Sequence, residues 1–388
     1  MNKNINLKDE IFDLNTEFNT DIRTEKINGG IGVYLDNQGK PFVIPIVKKI
    51  ASSLDFSNFN YLPINGDPIF LEESLKLVFG NNLYNDFKNQ LVKQGTIGGT
   101  NGIFIWANLI KLDNPKPTII IGNPTWENHK KIFNQLDFNI VEYQHLNSNN
   151  EFNLKAFEKI IKLHPQNYVL FHSGPTHNPT GTNPNQKEWL SIAKLIEKTK
   201  SKVCFDSAYI GLGDNIEDDC FELRHFLKEK IPMAVVVSYS KNMSLYQHRT
   251  GILIMNTNNQ KEKEELESKT KYIFRIVNSN PSAFGELIVK NILQNQKNKN
   301  QWLNSLKEIR NNLQVRRDLF NKYTQYQFKQ ITNQKGLFSL LNLNEKQILT
   351  LKKDYGIYLL SNSRINFGGL ALDKIPKLAK DLISLKNN

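Results

Sequence analysis

Lys241 stands where a buried strand is predicted to end, and Arg249 follows eight residues later in SYSKNMSLYQHRTG. The preceding AVVVS, Ala234–Ser238, is apolar enough to be buried on both faces of a sheet, so the lysine is expected in a partly desolvated crevice. Desolvation lowers the pKa of a lysine and lets its amine form an imine with a carbonyl. The hydroxyls of Ser238 and Ser240 and the planar fork of Arg249 would suit a phosphate. A solvated lysine at a strand end explains this segment equally well on its own.

Polar or aromatic segments follow three further predicted strands. They are NP at 123–124, HSGPTHNPTG at 172–181 and DSAY at 206–209. Each could be only a turn, a strand exit or a core anchor. All four strand ends would meet at one edge of a parallel sheet, which is where open α/β sheets bind ligands. The glycine-rich GTIGGTNG at 95–102 precedes a helical pattern, so it would aim backbone N–H groups at an anion there.

The elements that must position these residues alternate along the chain. From about Pro117, short β-rich runs alternate with amphipathic helical patterns, which predicts an α/β domain with a mainly parallel sheet. The predicted strands are 118–121, 168–171, 202–205, 234–237 and 251–255. In QKEWLSIAKLIEKTK, an apolar stripe predicts a helix, with Asn185 and Glu188 as its start signal; the stripe consists of Trp189, Ile192, Ala193 and Ile196. After about Asn300, a long charged helix, a strand at Gly336–Leu341, another helix and RINFGG indicate a smaller α+β domain.

Composition limits the classes of protein to consider. The 388 residues are 39% hydrophobic, enough for a large core, and the formal net charge is +12. The lysines are scattered among asparagines, so we expect no nucleic-acid partner. Cys204 and Cys220 are too few for a disulfide framework and show no metal-binding spacing, which predicts no metal and a reducing cytoplasm. The N-terminus lacks an apolar signal region and no apolar run reaches about 18 residues, so no membrane association is expected.

Several segments together resemble class I aminotransferases of the aspartate aminotransferase branch, which are fold-type I enzymes dependent on pyridoxal 5'-phosphate (PLP). These segments are KINGGIGVYLDNQGKPFVIP (26–45), NYLPINGDPIF (60–70), NPTWENH (123–129), HNPTG (177–181), FDSAYIG (205–211), SYSKN (238–242), RIVNSNP (275–281), GLFSL (336–340) and SRINFGGL (363–370). The resemblance implies a large PLP-binding domain at 37–299 with a seven-stranded, mainly parallel sheet. It further implies an N-terminal arm with part of a small domain at 1–36, the rest of an α+β small domain at 300–388, and a homodimer with shared active sites.

The resemblance also implies roles for residues around the cofactor. Lys241 matches the lysine that holds PLP as an imine and then moves the α-proton. Asp206 matches the carboxylate that keeps the pyridine nitrogen protonated, and His129 the residue behind that carboxylate. Tyr209 and Asn178 match the hydrogen-bond donors to the phenolic oxygen of PLP.

Further residues match the groups that hold the ring and the phosphate of PLP. Trp126 corresponds to the indole that stacks on the ring. The phosphate ligands implied by the resemblance are Gly99, Thr100, Ser238 and Arg249, with Tyr61 supplied by the neighbouring subunit. Gly98 stands where the family usually has a serine, so one hydroxyl to the phosphate would be missing. HSGPTHNPTG is one residue longer than the family pattern before Asn178.

Two arginines match the residues that select the substrate. Arg364 corresponds to the clamp on the α-carboxylate, and Arg275 to the arginine that reaches across the dimer to the distal carboxylate of aspartate or glutamate. Gly32, Trp126 and Asn178 complete the implied substrate site. The predicted reaction is transamination between a dicarboxylic amino acid and a 2-oxo acid such as 2-oxoglutarate or oxaloacetate.

Other functions stay open at this stage. An aromatic or broad-specificity aminotransferase, or a PLP-dependent lyase, would share most of these residues. A PLP-fold regulator is a further alternative, but it should carry a helix-turn-helix segment or lack the lysine, and this chain retains Lys241.

Overall fold

The computed structural model describes residues 10–55, 57 and 60–387. The chain divides into two compact units. The larger unit comprises Val43–His177 and Thr182–Ile309. The smaller unit comprises the chain up to Phe42, the short segment Asn178–Gly181 and the chain from Arg310 onward.

The regular elements of the described residues are numbered in chain order. The strands are β1 (Ile27–Asn28), β2 (Leu91–Thr96), β3 (Thr118–Asn123), β4 (Asn139–Gln144), β5 (Tyr168–His172), β6 (Lys202–Ser207), β7 (Met233–Ser238), β8 (Gly251–Asn256), β9 (Phe338–Leu340), β10 (Ile357–Tyr358) and β11 (Arg364–Asn366). The helices are α1 (Glu10–Thr20), α2 (Pro45–Ser52), α3 (Pro68–Phe87), α4 (Gly98–Asp113), α5 (Glu127–Gln135), α6 (Leu154–Leu163), α7 (Gln186–Thr199), α8 (Ile216–Asp219), α9 (Phe221–Lys228), α10 (Gln260–Asn278), α11 (Ala283–Leu293), α12 (Gln296–Tyr323), α13 (Glu345–Tyr355) and α14 (Ile375–Asn387).

The larger unit is built on one seven-stranded sheet with the order β2-β8-β7-β6-β5-β3-β4. Strand β8 runs antiparallel to both of its neighbours, and the other pairings in the sheet are parallel. The fold class predicted from the sequence, α/β with a mainly parallel sheet, is therefore confirmed. Every residue of the interior strand β7 is buried, as its apolar, β-branched sequence requires.

Local sequence signals place the helices around this sheet. The Asn185 side chain accepts hydrogen bonds from the amides of Lys187 and Glu188, and Glu188 bonds back to the amide of Asn185. This capping box starts α7 where the sequence predicts it. The predicted apolar stripe of α7 is buried. Helix α4 contributes Ile103 and Trp106 to the hydrophobic core of the larger unit.

The smaller unit contains two short strand pairs. Strands β1 and β10 pair in parallel, and β9 and β11 pair antiparallel with Arg364 opposite Leu340. The predicted strand at Gly336–Leu341 is present but shorter than predicted, at Phe338–Leu340. In the part of the chain that the structure describes, no helix is long and apolar enough to cross a membrane.

Candidate active site

The predicted strand-end residues of the larger unit meet at the carboxyl edge of its sheet. Asp206 lies at the end of β6, and Ser238 ends the adjacent strand β7. The amine of Lys241 lies 5.2 Å from the ring centroid of Tyr209. These four residues lie at the same edge of the sheet, because β6 and β7 are parallel neighbours.

The Asp206 carboxylate is buried and hydrogen-bonded. Nε2 of His129 lies 3.0 Å from Oδ2 of Asp206, and Nδ1 of His129 lies 2.9 Å from the Thr125 hydroxyl. Burial raises the pKa of Asp206, but the hydrogen bond and charge of His129, with His172 and Lys241 nearby, outweigh burial, and the pKa is lowered. The carboxylate is therefore held ionised in a dry position, where it can pair with a cation or a protonated ring nitrogen.

The ring of Trp126 packs edge-on against His129, with 5.2 Å between ring centroids. Trp126 immediately precedes α5, and its half-buried ring packs against the core of the larger unit. Trp126, which we expect from the sequence to stack on a cofactor ring, thus contacts the histidine that is bonded to Asp206.

A row of buried histidines extends from His129. His172 lies 5.0 Å from His129 and 4.4 Å from His177, and His145 stacks on His177 at 3.7 Å, measured between ring centroids. Nε2 of His145 donates to the carbonyl of Thr182. Burial lowers the pKa of His172 to about 3 and that of His145 to about 4, so these rings are neutral near pH 7.

Three members of this region bring metal-binding atom types together. His129, His172 and Asp206 each offer one such atom within 4.8 Å of the others. Both ring nitrogens of His129 already have protein partners, Thr125 and Asp206. The group is thus a hydrogen-bonded network that orients Asp206, and we assign no metal to it.

The N-terminus of α4 forms a cradle with the ends of neighbouring strands. A Cβ at Gly99 would lie 3.3 Å from the Cβ of Ser238, so this backbone approaches β7 closely. A Cβ at Gly98, whose φ is +74°, would lie 2.5 Å from Nη2 of Arg249. Thr100 lies in the first turn of the same helix.

Arg249 has the properties of an anion-binding residue. It is half-buried, and its guanidinium donates to the hydroxyl of Ser240 and the carbonyl of Tyr246. Within the described residues, no carboxylate pairs with it. Burial lowers the pKa of Arg249, because its positive charge is partly removed from water and no neighbouring anion in the described chain compensates for this. A guanidinium beside a glycine-lined helix N-terminus fits a phosphate group, as PLP requires.

The turn that carries Tyr209 is tied to the segment that carries Lys241. The side-chain amide of Asn242 donates to the carbonyl of Ile210 at 3.0 Å. The indole of Trp302 donates to the carbonyl of Asn242 at 2.6 Å, and Trp302 is fully buried. The backbone immediately after Tyr209 and after Lys241 is therefore held by hydrogen bonds.

The smaller unit holds another group of predicted site residues. Nη1 of Arg364 donates to the side-chain oxygen of Asn178 at 3.3 Å, and Nη2 donates to the carbonyl of Gly30 at 2.7 Å. The Arg364 guanidinium also lies 4.4 Å from the centroid of the Phe338 ring. Nothing lies within 4 Å of a Cβ built at Gly32, so that position adjoins open space.

Tyr61 and Arg275 lie on the surface of the chain. Tyr61 is 87% exposed, and Arg275 is exposed at the end of α10. Arg275 donates to the side-chain oxygen of Asn280, whose amide donates to the carbonyl of Leu62. The two segments are thus joined, but neither side chain contacts Lys241 or Asp206 in the chain described.

Some residues of this region were not predicted. The row formed by His145, His172 and His177 connects strands that are distant in sequence, and Trp302 reaches Asn242 from α12. The only local signal for the row was the pair of histidines in HSGPTH. Nothing in the sequence around Trp302 indicated a contact with the lysine segment.

Comparisons with known proteins agree with this geometry. The family described as "Aminotransferase class I and II" matches residues 24–382. The chain is 32% identical to the aspartate aminotransferase of Escherichia coli over 390 residues, covering 97% of each chain. It resembles the PLP-bound aromatic-amino-acid aminotransferase of Burkholderia pseudomallei with a TM-score of 0.93, 28% identity and 98% of each chain covered. For the aromatic aminotransferase of Psychrobacter sp. B6, cocrystallised with aspartic acid, the TM-score is 0.94, with 26% identity and 98% of each chain covered.

The fold and the site define a PLP-dependent enzyme of fold type I. The chain belongs to the aminotransferase class I and II family, and it is an aminotransferase.

Proposed function

We propose that the enzyme transfers the amino group of aspartate or glutamate to a 2-oxo acid, and that its active sites are shared between two subunits of a homodimer. The observation that carries this proposal is the arrangement of Lys241, Tyr209 and an ionised Asp206 at one sheet edge, beside a cradle suited to phosphate. The curated relatives named aspartate aminotransferase cover nearly the whole chain and support the same substrates. We also propose a cytoplasmic location.

Bound PLP supplies an electron sink for the electron pair released when the Cα–H bond of the amino acid breaks. In our proposal Nζ of Lys241 would hold the cofactor before reaction. Once the amino group of the substrate has taken its place, the freed amine of Lys241 would remove the proton at Cα as general base. Asp206 stays ionised because His129 donates to it, so it can pair with the protonated pyridine nitrogen. The hydroxyl of Tyr209 and the amide of Asn178 would donate to the phenolic oxygen.

The remaining site residues bind and orient. The Gly99 and Thr100 amides, the Ser238 hydroxyl and Arg249 hold the phosphate in this proposal, and Tyr61 of a second subunit adds a hydroxyl. Trp126 covers the ring of PLP.

The substrate is held by its carboxylates. Arg364 binds the α-carboxylate through two parallel hydrogen bonds, with Asn178 and Gly32 beside it. Arg275 binds the distal carboxylate in the site of the partner subunit. The exposure of Arg275 and Tyr61 on the single chain supports a role in a second subunit, because both side chains reach outward.

A second candidate is an aromatic aminotransferase. Both structural relatives described above carry that name, and one of them was crystallised with aspartic acid. On this chain, Arg275 is bonded only to Ser279 and Asn280 within the described residues, so it could move aside for an apolar side chain.

A single-turnover experiment distinguishes these functions. The PLP-loaded enzyme is mixed with aspartate, glutamate, phenylalanine, tyrosine or alanine, and conversion of the cofactor to its amino form is followed by absorbance. We expect aspartate and glutamate to react fastest. Faster reaction with phenylalanine and tyrosine would favour the aromatic function, and no conversion with any amino acid would refute transamination.

The attachment of PLP to Lys241 has its own test. Borohydride reduction followed by peptide mapping should place the pyridoxyl label on Lys241 alone. The Lys241→Ala variant should lose turnover but retain some bound PLP. A label on a different lysine would overturn this assignment.

A further inference from the structure

Two buried carboxylates lie outside the residues assigned to the site. Asp219 ends α8, Glu222 lies in the first turn of α9, and each is 1% exposed. In the described part of the chain no cation pairs with either of them. A buried carboxylate without a counterion is costly unless hydrogen-bond donors surround it. Three backbone amides partly offset the burial of Asp219, although burial still raises its pKa to about 6. Glu222 has one amide partner, and burial raises its pKa to about 8, so its side chain is largely protonated near pH 7.

Asp219 binds the turn that begins at Tyr209. Its Oδ2 accepts from the amides of Gly211 at 2.7 Å and Gly213 at 2.9 Å, and its Oδ1 accepts from the amide of Asp214 at 2.8 Å. Three N–H groups that a turn would otherwise offer to water thus converge on one side chain. The turn cannot change shape without breaking these bonds.

The same turn is also held from its other side. The carbonyl of Ile210 accepts from the side chain of Asn242, which follows Lys241 in the chain. Tyr209 therefore precedes a segment fixed by Asp219 on one side and by the lysine segment on the other. Because a phenol ring has few rotatable bonds, fixing its backbone largely fixes the direction of its hydroxyl.

Glu222 binds the segment that packs beside Asp206. Its Oε1 accepts from the amide of Gly174 at 2.6 Å. The neighbouring Ser173 donates its amide to the carbonyl of Asp206 at 3.0 Å, and its hydroxyl donates to that of Ser207 at 2.7 Å. From the sequence we expect this segment to be one residue longer than the family pattern. Glu222 binds it beside the end of β6.

We propose that Asp219 and Glu222 are positioning residues for transamination: Asp219 sets the direction of the Tyr209 hydroxyl, and Glu222 sets the segment beside Asp206. This inference rests on the proposed function of Tyr209 and Asp206 toward PLP. Neither carboxylate touches the reacting atoms. Each acts through backbone amides.

Replacement by the corresponding amide should affect the hydrogen bonds of Asp219 and Glu222 differently. Glu222 has one bond to Gly174, and the carbonyl oxygen of glutamine can accept it. Burial raises the pKa of Glu222 to about 8, so a neutral side chain is tolerated in that place. Asp219 uses both oxygens, and asparagine would put an NH2 group against an N–H donor. Glu222→Gln should therefore preserve the site, whereas Asp219→Asn should not.

The test compares Asp219→Asn, Glu222→Gln and Glu222→Leu with Asp218→Asn, which removes an exposed carboxylate from the same helix α8. The readouts are the pH midpoint of the absorbance change of bound PLP, kcat and KM for aspartate, and Tm. Loss of a well-aimed Tyr209 donor leaves more negative charge on the phenolic oxygen, which then holds the nearby proton more tightly. We expect Asp219→Asn to raise the midpoint by about 0.5–1 pH unit and lower kcat about 10- to 100-fold with little change in KM.

The other variants separate positioning from stability. Glu222→Leu should lower kcat, whereas Glu222→Gln should keep the kcat of the unchanged enzyme. Asp218→Asn should also have the kcat, midpoint and Tm of the unchanged enzyme. If Asp219→Asn does not fold, Gly213→Ala provides the second probe, because its Cβ would press on Oδ1 of Asp219 and would also lie 2.6 Å from Cγ of Pro175. A lower Tm in Asp219→Asn or Gly213→Ala with an unchanged midpoint and kcat would overturn the proposal, as would failure of Glu222→Gln to restore kcat.

The midpoint requires only bound PLP, so it can be read even if aspartate is not the substrate. If the unchanged enzyme converts no amino acid, the proposed function fails; the positioning role is still judged by the midpoint.

Discussion

The guanidinium of Arg249 occupies the space that a side chain at Gly98 would need. A Cβ there would lie 2.5 Å from Nη2 of Arg249, and the φ of Gly98, +74°, is unfavourable for other residues. The glycine at position 98, where the family resemblance leads us to expect a serine, thus leaves room for the guanidinium of Arg249.

Gly98→Ser should therefore weaken PLP binding although it adds a hydroxyl. A left-handed conformation costs a non-glycine residue about 1–3 kcal/mol, and relief of that strain would move Arg249, so we expect the Kd of PLP to rise about 10-fold. The measurement is a fluorescence titration of the apoenzyme with PLP. Gly39→Ser is the matched control, because the φ of Gly39 is +76° and Gly39 lies in the smaller unit. Tighter PLP binding by Gly98→Ser would contradict this view.

The histidine row should make the fold sensitive to acid. The pKa of His145 is lowered by burial from 6.5 to about 4, so between these values the unfolded chain binds a proton that the folded chain does not. The free energy of unfolding therefore falls as the pH falls through this window, by on the order of 1 kcal/mol per pH unit for each such histidine. His172, with its pKa at about 3, extends the loss further into acid.

Urea unfolding at several pH values between 7 and 4 checks this expectation. His145→Phe keeps an aromatic ring against His177 but removes one titrating group. Its stability at pH 7 should be lower, because the bond to the Thr182 carbonyl is lost. Its loss of stability with acid should be shallower than that of the unchanged protein. Parallel curves for the two proteins would show that His145 does not contribute.

Arg275 should control the preference for dicarboxylic substrates. Removing one member of a buried charged pair typically costs about 2–5 kcal/mol, which corresponds to about 30- to 5000-fold in kcat/KM. Arg275→Ala should lose this factor with aspartate and glutamate but change little with alanine or phenylalanine. Steady-state kinetics with these amino acids provide the measurement. Equal losses with all four would mean that the arginine supports the fold or the cofactor instead.

A mixed dimer should be more active with aspartate than either parent dimer. If Arg275 acts in the site of the partner subunit, a dimer of one Lys241→Ala chain and one Arg275→Ala chain contains one complete site. Co-expression with two different tags isolates this hybrid, which should turn over aspartate at about half the rate of the unchanged dimer. A hybrid no more active than the Arg275→Ala dimer would place the arginine in its own subunit's site.

Much of the fold and of the candidate site could be predicted from short stretches of sequence. The apolar run before Lys241, the capping box at Asn185 and the polar segments at strand ends each depend on a few adjacent residues, and the corresponding elements are present. The expected edge of the sheet does collect Asp206, Ser238 and Lys241, because parallel strands end on the same side. These features follow from periodicity and turn chemistry alone.

Contacts between distant segments escaped prediction. In strand β4, apolar and polar residues alternate only weakly, and Tyr143 is the one buried residue of the strand. Its hydrophobic pattern therefore resembles that of a loop. The stacking of His145 on His177 and the bond from Glu222 to Gly174 join residues more than thirty positions apart. Such pairs depend on tertiary packing, for which one sequence offers no local signal.

Trp302 gives the enzyme an intrinsic optical reporter. Its indole N–H is bonded to the carbonyl of the residue that follows Lys241, and the ring is sealed from water. Indole emission depends on hydrogen bonding and polarity around the ring, and PLP near this segment would accept excitation energy from it. A protein in which Trp106 and Trp189 are replaced by phenylalanine would keep Trp126 in the cofactor site. The change in its fluorescence on adding Trp302→Phe would then report the contribution of the lysine segment, without an added dye.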